Sequence, residues 1–559
     1  MLDLRERPFT DRGSRLLVMA ADDGSLWIAR ALYETRLADA TVLTGLRVLS
    51  GDRELPVRRA LPDRVEFAGG VTMAFAGPDT LVLTGRDARA VWDGGEAPID
   101  GVLPLTTPNP NPNPNPDGST SDGSTPDGST PDNPTTDGPT PNGPTPDGSS
   151  PDGAFPEGPG LDGGAVVAAA GARWRAWFDR MPAVPPGLRE RAEQAWWTLA
   201  VNLVPIRGRE SLIPSKYGYV GLWNWDAYFH AIALRHADPA LAREQIRILL
   251  DNQRPDGLIP DVVHDHGVLA ETTDLPRSDL ARLAQHVGGP PDPTVVPVTK
   301  PPLTAWAVWK IHEADPDPAF LAEVFEPLAR SQEWWFTRSD PDGDGLAEYL
   351  HPYSSGLDDS PIWDHGPRAE PPDLNSYLAL QYDRLGDIAA VLGRDPGPWR
   401  ERAQALVDLM VERRWNGRRF VTRVGGGEVD VRTPLEFMPL LTGRLPREVA
   451  DRLVADLTSP SFWGERPVPT VAFDDPRFDP DAMWRGPVWL NVNYLLVEGL
   501  HRSGYPDTAA ELRERTLAMV RDGGGLYEYW NPRTGRRAGR ATSGFGWSAA
   551  LFLDLAHTG

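Results

Sequence analysis

The stretch Asp238-Pro-Ala-Leu-Ala-Arg-Glu-Gln-Ile-Arg-Ile-Leu-Leu250 carries the pattern that decides the fold of most of this chain. Asp238 is suited to cap a helix, and the proline after it fits the first helical position, where no backbone N–H is needed. Ala242, Ile246, Leu249 and Leu250 then recur at the spacing of one helix face. The stretch therefore predicts an amphipathic helix.

The same pattern recurs from about residue 161 onward, with frequent helix stops and little strand signal between them. About twelve helices of this length indicate a mainly α fold. Helical hairpins in a ring, a plain helical bundle and an α-solenoid all fit this pattern. The other predicted helices are 163–180, 186–203, 227–236, 302–314, 318–337, 373–393, 397–415, 446–457, 486–502, 506–520 and 544–556.

Two segments of different composition precede the helical part. Residues 1–103 contain short apolar runs separated by glycine and proline, which predict a small antiparallel β-domain. Residues 104–160 repeat Asp-Gly-Ser-Thr and Asn-Pro and hold seven Asp, one Glu and no Lys or Arg. Such a segment buries too little apolar surface to offset its ordering entropy, so we predict a disordered linker. The expected domains are 1–103, 104–160 and 161–559.

Charge and composition exclude several classes of partner. The net charge of −23 repels phosphate backbones and anionic membranes, so neither nucleic acid nor a membrane is expected as a partner. A neutral sugar suits this charge. The chain has no cysteine, which removes thiolate metal sites and thiol nucleophiles. Its first residues lack the apolar core of a signal peptide, so a cytoplasmic location is expected.

Tryptophans in loops indicate a carbohydrate cleft. Of the 20 tryptophans, 18 lie after residue 160, and several stand beside Gly, Pro or Asp. An indole offers an apolar face for stacking and one N–H donor, which suits a sugar ring. Trp223, Trp225, Trp484 and Trp489 are therefore candidate sugar-binding residues, with core packing as the alternative. Asp226 either orients sugar hydroxyls or caps the next helix.

Two carboxylates are candidate catalytic residues. Asp358 follows Tyr353-Ser-Ser-Gly356-Leu in a turn and precedes Asp359; two adjacent acids favour each other's protonated form. Glu528 stands among aromatic residues after Gly523-Gly-Gly. Hydrolysis of a glycosidic bond needs such a pair, one carboxyl protonated and one ionised. Taken alone, an Asp-rich turn is more often a solvated cap.

A second acidic turn resembles the start of an EF-hand loop. It runs Asp340-Pro-Asp342-Gly-Asp344-Gly-Leu-Ala-Glu348, with His351 at the twelfth position, where an EF-hand needs a bidentate Glu. Oxygens at alternate positions suit a structural Ca²⁺, and a capped surface turn is the alternative. No cofactor is expected to be required.

Eight segments, in this order, resemble glycoside hydrolase family 63 and its trehalase-like relatives. They span residues 217–547: Gly221–Asp226, Asn252–Pro260, Lys300–Trp306, Ser355–Pro361, Asp373–Ser376, Trp484–Asn491, Tyr527–Tyr529 and Phe545–Trp547. The resemblance implies an (α/α)6 toroid and inverting hydrolysis of an α-linked sugar. It implies that Asp358 is the general acid and Glu528 the general base. It also implies a sugar site that includes Trp223, Trp225, Asp226, Lys300, Tyr353, Gly356, Trp484 and Trp489.

Two positions depart from the relatives that hydrolyse glucosylglycerate or mannosylglycerate. Those relatives often have Gln where this chain has Lys300, and Tyr where it has Met483. The predicted function is therefore hydrolysis of an α-glucosidic or related bond, with a glycerate glycoside as the alternative substrate. A non-catalytic carbohydrate-binding protein and an interaction scaffold built on residues 1–160 are the alternatives of another class.

Overall fold

The structure is a computed structural model that describes residues 2–106, 161–275 and 295–557. The predicted linker, apart from residues 104–106, lies outside these residues. The chain divides into two compact units. The first unit consists of Met1–Met181, Ala200–Val204 and Ser215–Val220, and the second consists of Pro182–Leu199, Pro205–Pro214 and Gly221–Gly559.

A nine-stranded antiparallel sheet forms most of the described part of the first unit. Its strands β1–β9 are Leu16–Ala20, Leu26–Arg30, Thr41–Ser50, Arg53–Glu54, Val57–Ala60, Val65–Phe67, Thr72–Gly77, Thr80–Trp92 and Gly95–Thr106. The strand order is β1-β2-β3-β8-β7-β6-β5, with β4 paired to β3 and β9 to β8. Phe9, Val18, Phe75 and Leu83 belong to the buried core of the sheet. The predicted antiparallel β-structure is confirmed, and β9 continues to Thr106, which still pairs with Thr80 of β8.

The first helix, Gly163–Phe178 (α1), belongs to this unit and not to the helical unit that it was predicted to open. Asp162 caps it by accepting hydrogen bonds from two backbone N–H groups. The helix packs against β7 and β8, and Arg173 forms an ion pair of 2.7 Å with Asp11. A side chain at Gly163 would lie 2.6 Å from the side chain of Thr84, so glycine permits the close approach.

The second unit is helical, as predicted. The described residues contain eleven α-helices after α1, and a 3-10 helix at Pro434–Thr442. Small two- to four-residue strands connect some of them, of which Leu222–Trp223, Val262–His264 and Gly267–Leu269 (β10–β12) matter for the site. The helices are Arg189–Val201, Asn224–Leu234, Pro239–Asp251, Thr304–Ala314, Pro318–Arg338, Pro372–Val391, Gly397–Arg414, Arg447–Leu457, Leu490–Arg502, Pro506–Asp522 and Gly546–Ala556 (α2–α12).

Capping residues explain where several helices begin. Asp238 accepts a hydrogen bond of 3.1 Å from the N–H of Leu241, and Asp317 caps α6 in the same way. Helix α10 begins at Leu490 and not at the predicted residue 486. Val488 pairs instead with Trp530 in a β-bridge, through N–H···O distances of 2.8 and 3.0 Å.

Six helical segments of the second unit contact one another in a closed cycle. Helix α3 packs against α5, α5 against α7, α7 against Pro434–Thr442, that segment against α10, α10 against α12, and α12 against α3. All eleven residues of α3 are buried. Helices α4, α8 and α11 pack against α3, α7 and α10 respectively. In the parts of the chain that the structure describes, no helix combines the length and hydrophobicity that crossing a bilayer requires.

Candidate active site

A small sheet at the start of α3 brings two distant carboxylates together. Trp223 on β10 pairs with Val262 on β11, and the N–H of Asn224 donates to the carbonyl of Asp261 at 2.8 Å. Asp226 follows in the first turn of α3. Both Asp226 and Asp261 are buried. The strand pairing thus fixes Asp261 beside the predicted sugar-binding segment.

Lys300 is the cation at the centre of this group. Its Nζ donates a hydrogen bond of 2.6 Å to the carbonyl of Tyr353. The same Nζ lies 3.3 Å from Oδ1 of Asp261 and 3.8 Å from Oδ1 of Asp358. Only 5% of Lys300 is exposed. The lysine therefore connects the predicted acid to a buried carboxylate.

The charges of the group act on one another. Burial by itself would lower the pKa of Lys300, but the carboxylates of Asp261, Asp358 and Asp226 outweigh it and raise that pKa. Burial raises the pKa of Asp261 to about 6 against the opposing charge of Lys300. It raises the pKa of Asp226 well above its ordinary value, and Asp261 and Glu528 add to this effect. Asp226 therefore lies within electrostatic range of both Lys300 and Glu528.

The turn that carries Asp358 is held against Trp225. Gly356 has a φ of +71°, and a Cβ there would lie 2.2 Å from the indole of Trp225. The N–H of Leu357 donates to Ser355 Oγ at 3.0 Å, and Trp363 Nε1 donates to the carbonyl of Leu357 at 2.8 Å. The side chain of Asp358 remains 32% exposed. The turn thus presents its acid to solvent from a fixed backbone.

Asp359 joins this turn to the tryptophan loop. Its Oδ1 accepts a hydrogen bond of 2.9 Å from the N–H of Trp484. The rings of Trp484 and Trp489 stack at 3.5 Å with an interplanar angle of 9°, and Trp489 stacks on Tyr529 at 4.7 Å. Trp547 lies edge-on to Trp225 at 5.3 Å. These aromatic side chains form one cluster next to the carboxylates.

Glu528 precedes Tyr529, the residue on which Trp489 stacks. Its N–H donates to the carbonyl of Thr542 at 2.8 Å, and its Oε2 accepts from the N–H of Thr542 at 3.1 Å. Only 4% of Glu528 is exposed. Burial raises the pKa of the neighbouring Tyr529, and the charges of Glu528 and Asp359 raise it further. Both acidic segments therefore act on the same tyrosine.

The family model described as "Mannosylglycerate hydrolase MGH1-like glycoside hydrolase domain" matches residues 219–548 of the chain. The chain belongs to this family. The matched residues contain every predicted catalytic and sugar-binding residue. The predicted resemblance to glycoside hydrolase family 63 is confirmed, and the chain is a glycoside hydrolase.

Similar proteins match over nearly their whole length. A mannosylglycerate hydrolase from Rubrobacter radiotolerans is 27% identical over 61% of this chain and 92% of that protein. A glucosylglycerate hydrolase from Mycolicibacterium hassiacum is 27% identical over 60% of this chain and 92% of its own length. The crystal structure of the GH63 mannosylglycerate hydrolase from Thermus thermophilus in complex with glucose superposes with a TM-score of 0.53 and 26% identity. That match covers 65% of this chain and 99% of the other.

The glycosidase thus brings together most of the residues predicted from sequence. Contacts described above link Trp225, Lys300, Tyr353, Gly356, Asp358, Trp484 and Trp489, and electrostatic interactions add Asp226 and Glu528. Trp223 is half-buried on β10, two residues before Trp225. Sequence reasoning missed Asp261 and Tyr529. Tyr529 was visible as the aromatic neighbour of Glu528, and Asp261 directly follows the segment Asn252–Pro260, which was the one available signal for it.

The second acidic turn lies apart from these contacts. Carboxylate oxygens of Asp340, Asp342 and Asp344 lie within 4.8 Å of one another. Glu348 forms an ion pair of 2.6 Å with Arg368, and Asp344 forms one of 2.7 Å with Arg414. Burial raises the pKa of Glu348, and the three aspartates add to this effect. The three aspartates therefore group together, whereas Glu348 lies outside that group and is paired with Arg368.

Proposed function

We propose that this glycosidase hydrolyses an α-glycosidic bond with inversion, using Asp358 as general acid and Glu528 as general base. One observation carries the proposal: Asp226 interacts electrostatically with Glu528 and with Lys300, and Lys300 lies 3.8 Å from Asp358. The two carboxylates thus share a set of neighbours although they lie far apart in the sequence. Inversion requires carboxyl groups roughly 6.5–9.5 Å apart, which leaves room for a water molecule.

The proposed reaction is a single displacement. Asp358 gives its proton to the glycosidic oxygen as the bond from that oxygen to the anomeric carbon breaks, and the bonding electrons stay with the oxygen. A water molecule attacks the anomeric carbon from the opposite face, and Glu528 takes its proton. A hydrogen bond from the N–H of Thr542 fixes the position of Glu528. The sum of these steps is one water consumed and one glycosidic bond cleaved.

The aromatic cluster supports a sugar site between the two acids. Trp484 and Trp489 stack on each other with one ring face each, and Trp225 packs against Gly356 in the turn that carries Asp358. Asp226 is placed to accept hydrogen bonds from sugar hydroxyls, which are the neutral donors that a buried carboxylate binds well. A pyranose bound here would form hydrogen bonds with polar atoms that otherwise bind water.

We also propose that the second unit is an (α/α)6 toroid. The closed cycle of contacts among α3, α5, α7, Pro434–Thr442, α10 and α12 supports six inner segments. Helices α4, α8 and α11 each pack on one of them, as outer helices would. This arrangement would bring the loops before the inner helices to one end, and Lys300, Asp358 and Glu528 lie in the loops before α5, α7 and α12.

A glycerate glycoside is the second candidate substrate. It is favoured by the relatives named above, two of which are mannosylglycerate hydrolases and one a glucosylglycerate hydrolase. Lys300 is already engaged by carboxylates, so it offers little to a glycerate anion. Arg537 and Arg540 act electrostatically on Tyr529, the neighbour of Glu528, and are candidates for binding a glycerate carboxylate. We therefore propose a small α-glucoside or α-mannoside, with the aglycone left to experiment.

A substrate panel with stereochemical analysis tests the proposal. Glucosylglycerate, mannosylglycerate, trehalose, maltose and branched dextrins are the substrates, and proton NMR follows the first product anomer. Inversion gives the β-anomer from an α-linked substrate. Asp358→Asn and Glu528→Gln should each lower kcat by about 10²–10⁴-fold with the fold intact.

Asp359→Asn is the matched control. Its amide oxygen can still accept the hydrogen bond from Trp484, so we expect a much smaller loss of kcat. Normal turnover by both Asp358→Asn and Glu528→Gln would refute the assignment of acid and base. Binding of the panel without any turnover by the unaltered protein would favour a non-catalytic carbohydrate-binding protein.

A further inference from the structure

Lys300 poses a problem for a general acid. Asp358 must carry a proton before it can donate one to the leaving oxygen. An ammonium 3.8 Å away favours the ionised form of a carboxyl group, and it does so strongly where water is largely excluded. Lys300 is buried, so solvent screens its charge poorly. Something else in the site has to offset this charge.

Asp261 is the group placed to do so. Its Oδ1 lies 3.3 Å from Nζ of Lys300, closer than the 3.8 Å to Asp358. It is 2% exposed, and its backbone is fixed on both sides, by Asn224 N–H on its carbonyl and by the carbonyl of Leu269 on its N–H. The carbonyl of Tyr353 accepts another proton of the ammonium at 2.6 Å. Both partners lie closer to the ammonium than Asp358 does.

The other groups around Lys300 do not offset its charge in the same way. Asp226 contributes less than Asp261 and Asp358 to raising the pKa of Lys300, and burial raises its own pKa well above its ordinary value. Burial, with the charge of Lys300, lowers the pKa of His351 to about 3, so the imidazole is neutral. The pKa of Asp261 is about 6, so this carboxyl carries its charge above that pH.

We propose that Asp261 is a positioning residue that engages the ammonium of Lys300 and thereby lets Asp358 keep the proton it donates. The inference rests on the proposed role of Asp358. It goes beyond that role because it assigns the working pH range of the enzyme to a buried pair, Asp261 and Lys300, that does not touch the reacting bond. The pair acts through charge, so its two members should shift the pH profile in opposite directions.

The test is a charge cycle on the pair, measured as kcat/KM against pH. The variants are Asp261→Asn, Lys300→Gln and the double variant, and the substrate is the α-glycoside that the panel identifies. We expect the alkaline limb to move to lower pH by roughly one unit in Asp261→Asn, because Lys300 then acts on Asp358 unopposed. It should move to higher pH in Lys300→Gln and return close to its original position in the double variant.

Glu323→Gln is the matched control. It also removes one carboxylate charge, but Glu323 lies on α6 and forms an exposed ion pair with Arg247 of α4. Its alkaline limb should stay in place. A role of Asp261 in folding alone would change the melting temperature or kcat without opposite shifts of the limb. If Asp261→Asn does not fold, Lys300→Gln decides, since an unchanged or lowered limb there overturns the inference.

The two proposals fail separately. An unchanged limb in all three variants, with Asp358→Asn still inactive, overturns the role of Asp261 and leaves the acid assigned. Full activity of Asp358→Asn overturns the proposed function, and with it the inference that rests on Asp358. Opposite shifts of the alkaline limb in Asp261→Asn and Lys300→Gln, with the original limb restored in the double variant, support both the proposed function and the role of Asp261.

Discussion

Gly356 is the residue on which the acid turn depends most directly. Its φ of +71° lies in the left-handed region, which disfavours residues with a Cβ. A Cβ would also overlap the indole of Trp225 at 2.2 Å. The turn and the tryptophan therefore hold each other in place, two residues from the proposed acid.

We predict that Gly356→Ala lowers kcat by roughly tenfold or more, the scale expected for a displaced catalytic group. Gly393→Ala is the matched control, because Gly393 has a φ of +70° but a Cβ added there would meet open space. The control should lose stability from backbone strain and keep its kcat. Steady-state kinetics and thermal melts of both variants check this, and equal losses of kcat would contradict the role given to the Trp225 contact.

Single residues of the site differed in how well the sequence revealed them. Asp358 and Glu528 stand among glycines and aromatic residues in a recognisable order, so the sequence singles them out as candidates, and their roles stay predictions. Asp261 was not, because its importance comes from the pairing of β10 with β11 and from Lys300, which lies well beyond it in the chain. Local composition carries no trace of such a contact.

The helices as elements were predicted well because their signals are local. Asp238-Pro239 and Asp317-Pro318 mark two starts through a cap and a proline, and both helices begin where expected. The start of α10 was predicted too early because Val488 forms a β-bridge with Trp530, which lies far from it in the sequence. Helix α1 was located correctly but assigned to the wrong unit, since its partners β7 and β8 lie far back in the sequence.

The acidic turn at 340–348 is the element for which we propose a Ca²⁺ site. We predict that Ca²⁺ raises the melting temperature relative to EGTA, because Asp340, Asp342 and Asp344 lie within 4.8 Å of one another and the cation would relieve their repulsion. Asp342→Asn should abolish the increase. Asp408→Asn, on the exposed side of α8, should leave it unchanged. Equal melting temperatures in Ca²⁺ and EGTA would show a capped turn without a cation.

At the scale of the whole molecule, the first unit draws on three separate stretches of the chain. Lys216 belongs to the last of these stretches and is buried in it. Its Nζ donates to Thr10 Oγ1 at 2.7 Å and to the carbonyl of Asp11 at 3.2 Å. Burial lowers the pKa of Lys216 to about 7, and Arg15 adds to this effect while Asp11 opposes it.

This burial predicts a pH-dependent stability. The unfolded chain keeps the lysine protonated up to about pH 10.5, so it binds more protons than the folded chain above pH 7. The destabilising contribution of Lys216 is therefore full below pH 7 and fades as the pH rises, at about 1.4 kcal/mol per pH unit. The melting temperature of Lys216→Met relative to the unaltered protein should be highest near pH 7 and decline toward roughly pH 9.5.

Arg58→Met is the control for this series. Arg58 is an exposed basic residue of the same unit, so its replacement removes a positive charge without affecting a buried group. Its melting temperature should differ from that of the unaltered protein by a constant amount. A constant difference for Lys216→Met as well would show that Lys216 is not buried as a neutral amine.

The contact of α3 with α12 joins two helices that the ribosome synthesises at widely separated times. Helix α3 ends at Leu234 and α12 begins only at Gly546, so most of the second unit is synthesised between them. At ribosomal rates of about 5–20 residues per second, α3 waits about 15–60 s for this partner. All eleven of its residues are buried once the fold is complete, so the nascent chain exposes the face of α3 that α12 later covers, while α4 and α5 can already pack on the helix. We expect the emerging second unit to need a chaperone to shield α3 until α12 has been synthesised.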